Sequence, residues 1–386
     1  MEPFVHLHVH SQYSLLDGQA SIPRLIDKAM KDGMPGIALT DHGAMFGIKD
    51  FVNYVGKAKS KIKGELKKLN SELEKSPNNQ NPKQQVEIKT KQLDFKPIIG
   101  CECYMARRGR LLQSEKIDGS GWHLVVLAKN LTGYKNLIKM VSKSWTEGFY
   151  YRPRIDRELL EKYKEGLIVT SACLGGEIPR KIADGEIEAA EEAVQWFKGM
   201  FGDDFYLEIQ RHKTNRPDAD QTTYPKQEMV NKEIFKIAEK YDVKVIATND
   251  VHFVNEEDAD AHDRLICLST GRDFDDPNRM RYSKQEWLKT TAEMNQVFGD
   301  LPETLSNTLE VIEKVEEYSI NNPALMPFFP IDESFGTEGG YKQKYSEEDL
   351  IEKFGSDAYE RMGGYDKVIR IMLETDYLRH LTYLSA

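Results

Sequence analysis

Phe4-Val5-His6-Leu7-His8-Val9-His10 opens this 386-residue chain with three histidines set two residues apart in an otherwise apolar run. Alternation with period two reads as a β-strand over Phe4–Val9, and it sends His6, His8 and His10 to one face. Buried imidazoles need polar partners, so the strand either lies on the surface or faces a site that uses them. The residues at the ends of other apolar runs favour the site. Thr40-Asp41-His42-Gly43 closes the run Gly36–Thr40, Glu102 lies within Ile98–Tyr104, and Asn249-Asp250-Val251-His252 comes directly after Val243–Thr248. Asp17 sits just beyond the first strand, and Cys173 comes soon after Leu167–Thr170.

The first ~270 residues alternate such runs with helical stretches near 132–144, 186–200 and 225–241, the pattern of strands joined by crossover helices. Seven strand candidates (Phe4–Val9, Gly36–Thr40, Pro97–Tyr104, His123–Ala128, Leu167–Thr170, Phe205–Ile209 and Val243–Thr248) suggest a closed α/β barrel more than an open sheet. In a barrel of parallel strands the C-terminal ends converge on one mouth, where residues distant in sequence meet. His123 opens its strand, so that strand runs antiparallel or its connection returns the chain to the mouth. Each residue has a duller reading: turn chemistry for Asp-His-Gly, a surface carboxylate for Glu102, a small buried side chain for Cys173. Five strand ends that all offer nitrogen, oxygen or sulfur ligands favour a multinuclear metal site. No GxxxxGK[ST], GxGxxG or GxSxG motif points to a rival chemistry.

Composition bounds the rest. Lys and Arg number 53 against 63 Asp and Glu, a net charge of −10 that gives no general nucleic-acid-coating surface. Four cysteines without a CxxC pair suit a reducing cytoplasm, and neither a leader nor a bilayer-length apolar run is evident. Gly56–Lys96 breaks the rhythm: eleven lysines face five acidic residues around a polar Pro77–Pro82 centre. Its flanks, Lys57–Lys75 and Lys83–Leu93, read as a charged helical hairpin or a partly disordered insertion. After Tyr282 the texture changes to an amphipathic helix over Thr291–Ser319 broken at Pro302, an extended Asn321–Pro330, a Gly-rich stretch Ser334–Tyr341 and further helix. We place a barrel domain at 1–282 and a small, incomplete α-rich module at 283–386.

His6-Leu7-His8-Val9-His10-Ser11, Tyr13–Gly18, Ala38-Leu39-Thr40-Asp41-His42-Gly43, Gly100–Tyr104, His123–Asn130, Gly148–Asp156, Tyr206–His212, Thr248–Phe253 and Gly271–Tyr282 together resemble the PHP (polymerase and histidinol phosphatase) family. Within it, the likeness is to the region that opens bacterial replicative DNA polymerases. It covers residues 1–290 closely and 291–386 more loosely. The resemblance implies a distorted seven-stranded (β/α) barrel holding three divalent ions: zinc, or else manganese or iron. The matching ligand positions are His8, His10, Asp17, His42, Glu102, His123, Cys173, Asp250 and His252, with Glu102 as the bridging carboxylate. His6 and Asp41 would orient ligands.

The implied activity is metal-dependent phosphodiester hydrolysis, a 3′–5′ exonuclease of proofreading type, with Asp17, His42, Glu102, Asp250 and His252 as catalytic residues. Arg152, Arg154 and Arg211, and the cluster Arg107-Arg108-Gly109-Arg110, would steer the DNA backbone. DNA and other replicase subunits are the implied partners, in the cytoplasm and without a membrane. Asp376–Leu381 resembles the entry to the polymerase palm, and the palm's catalytic aspartates are absent, so no polymerisation is expected. Two rival readings are a small-molecule phosphatase and a metal-bound structural platform for the polymerase and its proofreading subunit.

Overall fold

The computed structural model describes residues 1–75, 80–322 and 329–384. The expected Pro77–Pro82 centre and the extended Asn321–Pro330 stretch lie partly outside these residues. Eight strands form one mixed sheet: β1 (Gly36–Leu39), β2 (Lys96–Ala106), β3 (Gly121–Ala128), β4 (Phe149–Tyr150), β5 (Arg152–Ile155), β6 (Leu167–Thr170), β7 (Phe205–Ile209) and β8 (Val245–Ala247). β1 lies parallel to β2, and the curl continues through β3, β6, β7 and β8. β4 and β5 form a small antiparallel hairpin that joins β2 through β5.

Residues 6–10 supply the remaining stave, although they form no regular strand. On one side Ala38 N donates to His6 O and Thr40 N to Val9 O; on the other His10 N donates to Val251 O and Val251 N to His8 O. Four residues, 6 to 9, therefore stand opposite three, 38 to 40, which is one extra residue and hence a bulge. Thr40 Oγ1 accepts from Val9 N at 2.8 Å and completes the local bonding. The bulge resets the alternation of side chains. Val5 and Leu7 join the barrel interior while Phe4 and Val9 join the outer layer. His8 and His10 face the mouth, but His6 points the other way, to Lys289 O at 2.7 Å. The expectation that all three histidines share a face is corrected by that one residue.

β3 runs antiparallel to both β2 and β6, with His123 opposite Tyr104, so its N-terminal end lies where the parallel strands end. That resolves the position of His123. The barrel's floor is apolar: Val5, Leu7, Ala38, Ile98, Val125, Leu127, Ile168, Tyr206 and Ile246 pack with Val311, Ile312 and Val315. The last three come from the helix Pro302–Lys314 and its end, which begins with proline at its first turn as the fixed φ favours. The compact unit accordingly runs from Met1 to Ile320, past the boundary expected at 282.

The basic insertion is a helical hairpin, Ile48–Lys75 and Gln80–Leu93, in which Ile62 and Pro82 are buried and Lys89 pairs with Glu65 at 2.5 Å. A second unit, Asn321–Ala386, is helical in its described part and packs Leu350, Tyr359, Val368, Ile369 and Met372 into its own small core. Among the described residues no helix is long and apolar enough to cross a membrane, and all four cysteines are free.

Candidate metal centre

Glu102, 1% exposed on β2, is the hub of the mouth. Its Oε1 lies 3.3 Å from His8 Nε2 and 2.8 Å from His123 Nδ1; its Oε2 lies 3.2 Å from His10 Nε2 and 2.8 Å from His42 Nδ1. Asp250 Oδ1 adds 3.2 Å approaches to both His8 Nε2 and His10 Nε2. Asp17 Oδ2 sits between His42 Nε2 at 3.0 Å and His252 Nε2 at 3.2 Å. Cys173 Sγ is 3.5 Å from His123 Nδ1 and 3.8 Å from Glu102 Oε1. All nine expected ligand residues thus meet. Three overlapping groups have ligand atoms close enough to share an ion: His8, His10, Glu102 and Asp250; His42, Glu102 and His123; His10, His42 and His252.

Several of these contacts are not hydrogen bonds. His8 Nε2, His10 Nε2, His42 Nδ1, Glu102 Oε2 and Asp250 Oδ1 are buried with no hydrogen-bond partner. Buried polar atoms are almost always satisfied, and here the orphaned ones converge on shared points. Nitrogen, carboxylate oxygen and one sulfur form a donor set suited to zinc, manganese or iron. The backbone is strained at the same place: Leu16, Ala172 and Asp250, non-glycine residues beside or within the cluster, have φ of 60°, 58° and 46°. Gly43 follows His42 at φ 58°, where a Cβ would lie 2.7 Å from Pro153 Cγ, so only glycine fits that turn.

The electrostatics fit cations. Burial opposes charge on His8, yet Asp250, Glu208 and Glu102 hold its pKa well above the usual imidazole range. Burial likewise opposes charge on His42 and His252, but Glu102 with Tyr104 and Asp17 raises the first, and Asp17 with Asp250 takes the second to about 9. Conversely, burial would raise the pKa of Glu102, Asp17 and Asp250, and the neighbouring histidines hold all three low. Burial, then Glu102 and Asp250, push the Cys173 thiol well up. The pocket therefore concentrates carboxylates and demands positive charge from any available source.

A surrounding layer orients the ligands. Glu208 accepts from His8 Nδ1 at 2.7 Å and is itself held by the hydroxyls of Thr170 and Thr248 and by Gln210. Asp41 accepts from the Ser14 hydroxyl, whose oxygen lies 2.9 Å from His10 Nδ1, so Asp41 orients His10 through a relay. Tyr282 donates to Asp17 Oδ1 at 3.0 Å. Sequence reasoning missed Glu208, Ser14 and Tyr282. A carboxylate inside the apolar run Phe205–Ile209 was the available signal for Glu208; nothing local marks the other two.

Two expected phosphate contacts are corrected. Arg154 is fully buried and donates to the carbonyls of Gly148, Leu112, Asp118 and Arg110. Arg211 is held by Asp300, Glu228 and Val297 O. In the 107–110 cluster, Arg108 pairs with Asp118 and Glu115, and Arg110 with Glu147, Asp156 and Glu158. Arg152 alone of the three single arginines is exposed at the mouth, its guanidinium 5.5 Å from the Tyr104 ring centroid. His6 orients no ligand, since its ring bonds a distant carbonyl.

The family model for the PHP domain matches residues 6–212, more than half of the chain. The chain belongs to the PHP family. Its relatives include the DNA polymerase III subunit alpha of Borreliella burgdorferi, 42% identical over 350 residues that are 90% of this chain and 27% of the relative. The same subunit of Treponema pallidum is 33% identical and covered over 28% of its length, and that of Thermus aquaticus 33% and 27%. This PHP chain spans about a quarter of the length of the curated relatives it matches. A solved structure described as a metal-dependent phosphoesterase, from Bifidobacterium adolescentis, aligns over 65% of this chain and 89% of its own at 10% identity and a TM-score of 0.26.

Proposed function

We propose that the PHP barrel holds a cluster of divalent cations, three at full occupancy, through His8, His10, Asp17, His42, Glu102, His123, Cys173, Asp250 and His252, and hydrolyses phosphodiester bonds at the 3′ end of DNA. The observation that carries this reading is the convergence of four orphaned, buried ligand atoms around the Glu102 carboxylate, whose own Oε2 is orphaned too. Bound divalent cations supply Lewis-acid charge for phosphate oxygens and acidify water towards neutral pH. The chain's own residues do the rest. Glu102, Asp250 and Asp17 would hold the ions together with the histidines and Cys173, and Glu208 and the Ser14 relay fix the tautomers of His8 and His10. His42, Asp17 and His123, each partly exposed, open onto a cleft of ≈ 510 Å³. Access to the centre favours turnover over a purely structural role.

The polymerase relatives support a place in a replicative polymerase, with DNA and other replicase subunits as partners in the cytoplasm. The test pairs metal content of the purified chain with digestion of 3′-labelled single-stranded DNA, with zinc or manganese added. Wild type retaining about three ions and cleaving, with Glu102→Gln losing at least one ion and the cleavage, supports the reading. Metal without cleavage turns it into a structural platform, and no metal under any loading overturns the centre itself.

A further inference from the structure

The cleft in front of the centre has a wall that the hydrolytic chemistry does not use. Phe46, Trp145 and Phe149 line it and are 58%, 43% and 47% exposed. Half-exposed aromatic rings gathered in one place are unfavourable in water unless something covers them. Their arrangement is ordered. Trp145 and Phe149 lie nearly parallel, 19° apart with centroids at 5.5 Å, and Phe46 stands 6.1 Å from Trp145. Trp145 Nε1 donates to Gly43 O at 2.8 Å, which fixes the indole one residue from His42. In the same cleft, Arg152 covers Tyr104, and Tyr104 stacks on His42 with centroids at 5.7 Å. Arg152 makes no salt bridge with any described acidic side chain, unlike Arg110 or Arg211.

Flat rings at the rim, an uncommitted guanidinium and a phosphate-directed centre within one cleft match a single strand of nucleic acid. Its bases stack on aromatic faces without regard to sequence, and its phosphates seek cations. We propose that Phe46, Trp145 and Phe149 form a shelf on which a terminal base of the strand stacks, with Arg152 on a neighbouring phosphate. This rests on the phosphoesterase reading of the centre. A flexible single strand can turn its terminal base onto the shelf without opening a pair, so the shelf favours unpaired ends.

The experiment measures affinity of the full, zinc-loaded chain for a fluorescent, phosphorothioate-protected oligothymidylate, and for the same oligonucleotide with abasic residues at its 3′ end. Wild type should bind the intact strand about tenfold more tightly than the abasic one. Phe46→Ala/Phe149→Ala should remove that preference, and quenching of tryptophan fluorescence by the intact strand should vanish in Trp145→Phe. Metal content and far-UV circular dichroism establish that the variants fold. Variants that still distinguish intact from abasic strands overturn the shelf. So does affinity indifferent to the variants, the result expected of a protein-docking surface. Hydrolysis of bis-p-nitrophenyl phosphate by wild type is read separately: its absence defeats the phosphoesterase reading, while the oligonucleotide binding still decides the shelf.

Discussion

Glu208 shows how much a single side chain outside the ligand set can carry. It is buried, accepts from His8, and is tied to β6 and to the end of β8 through Thr170 and Thr248. Glu208→Gln keeps the shape but removes the charge that holds the His8 ring. It should weaken metal binding by about 10–100-fold, read as metal lost to a graded series of chelators; full retention would show that His8 needs no such support. Lys289 tests the burial of a charge, its ammonium donating to Gln285 O. Desolvation lowers its pKa to about 7 against the opposing pull of Glu286, Glu293 and Glu256, and its ammonium lies 3.4 Å from the Trp287 ring centroid. The unfolded chain binds that proton up to about pH 10.5. Between pH 7 and about 10.5 it therefore holds more proton than the native state, and stability rises with pH there. Lys289→Met should be more stable than wild type near pH 7, with the gap closing by about pH 10 in urea titrations; a pH-independent gap would refute this account. Side-chain types at strand ends brought the nine candidate ligands into view, and the resemblance to the PHP family set His6 and Asp41 apart from them. It misassigned Arg154 and Arg211 because a cation's partners, four carbonyls in one case and two carboxylates in the other, are brought together only by the fold.

Elements were legible where one period dominated. The helices at 131–146, 187–201 and 223–241 and strands β6 and β7 stand where periodicity puts them, within a few residues. The first stave reads as a plain strand only because alternation cannot reveal an extra residue, and the bulge then sends His6 elsewhere. The hairpin β4–β5 escaped notice because Phe149–Ile155 is short and interrupted by Tyr151 at φ 60°. The basic helices were foreseen, and their energetics divide along their length. The first helix has 28 residues, about 42 Å at 1.5 Å per residue. Ile48, Phe51, Val55 and Ile62 bury its first half, whereas Pro82 is the only buried residue in the described part of the returning helix. Replacing residues 69–86 by a short glycine linker should change neither metal content nor the melting temperature of the barrel by more than about 2 °C. Ile62→Ala, by contrast, should cost roughly 2–4 kcal/mol in denaturant unfolding. A large loss on excision would show that the distal hairpin contributes to folding the barrel.

At the scale of the whole molecule, the two compact units rest on different forces. Met1–Ile320 carries an extensive apolar core but gathers Asp17, Glu102, Glu208 and Asp250 with His8, His10, His42 and His252 around one mouth. Asn321–Ala386 has a small apolar core, and groups of histidine, cysteine and carboxylate able to share an ion are confined, among the described residues, to the first unit. A ligand that binds only the native state stabilises it by about 2.7 kcal/mol at a hundredfold excess over its dissociation constant. Cations bound at the mouth should therefore act on the first unit alone. Stripping them with a chelator should lower the barrel's calorimetric transition by roughly 5 °C, given a few degrees per kcal/mol for a unit of this size. The helical unit, followed by a probe introduced at the exposed Glu352, should melt at the same temperature with and without metal. If both transitions move together, the units unfold as one and the two-unit description of stability fails; if neither moves, the buried carboxylates are balanced by protonated histidines alone, and the mouth does not depend on metal.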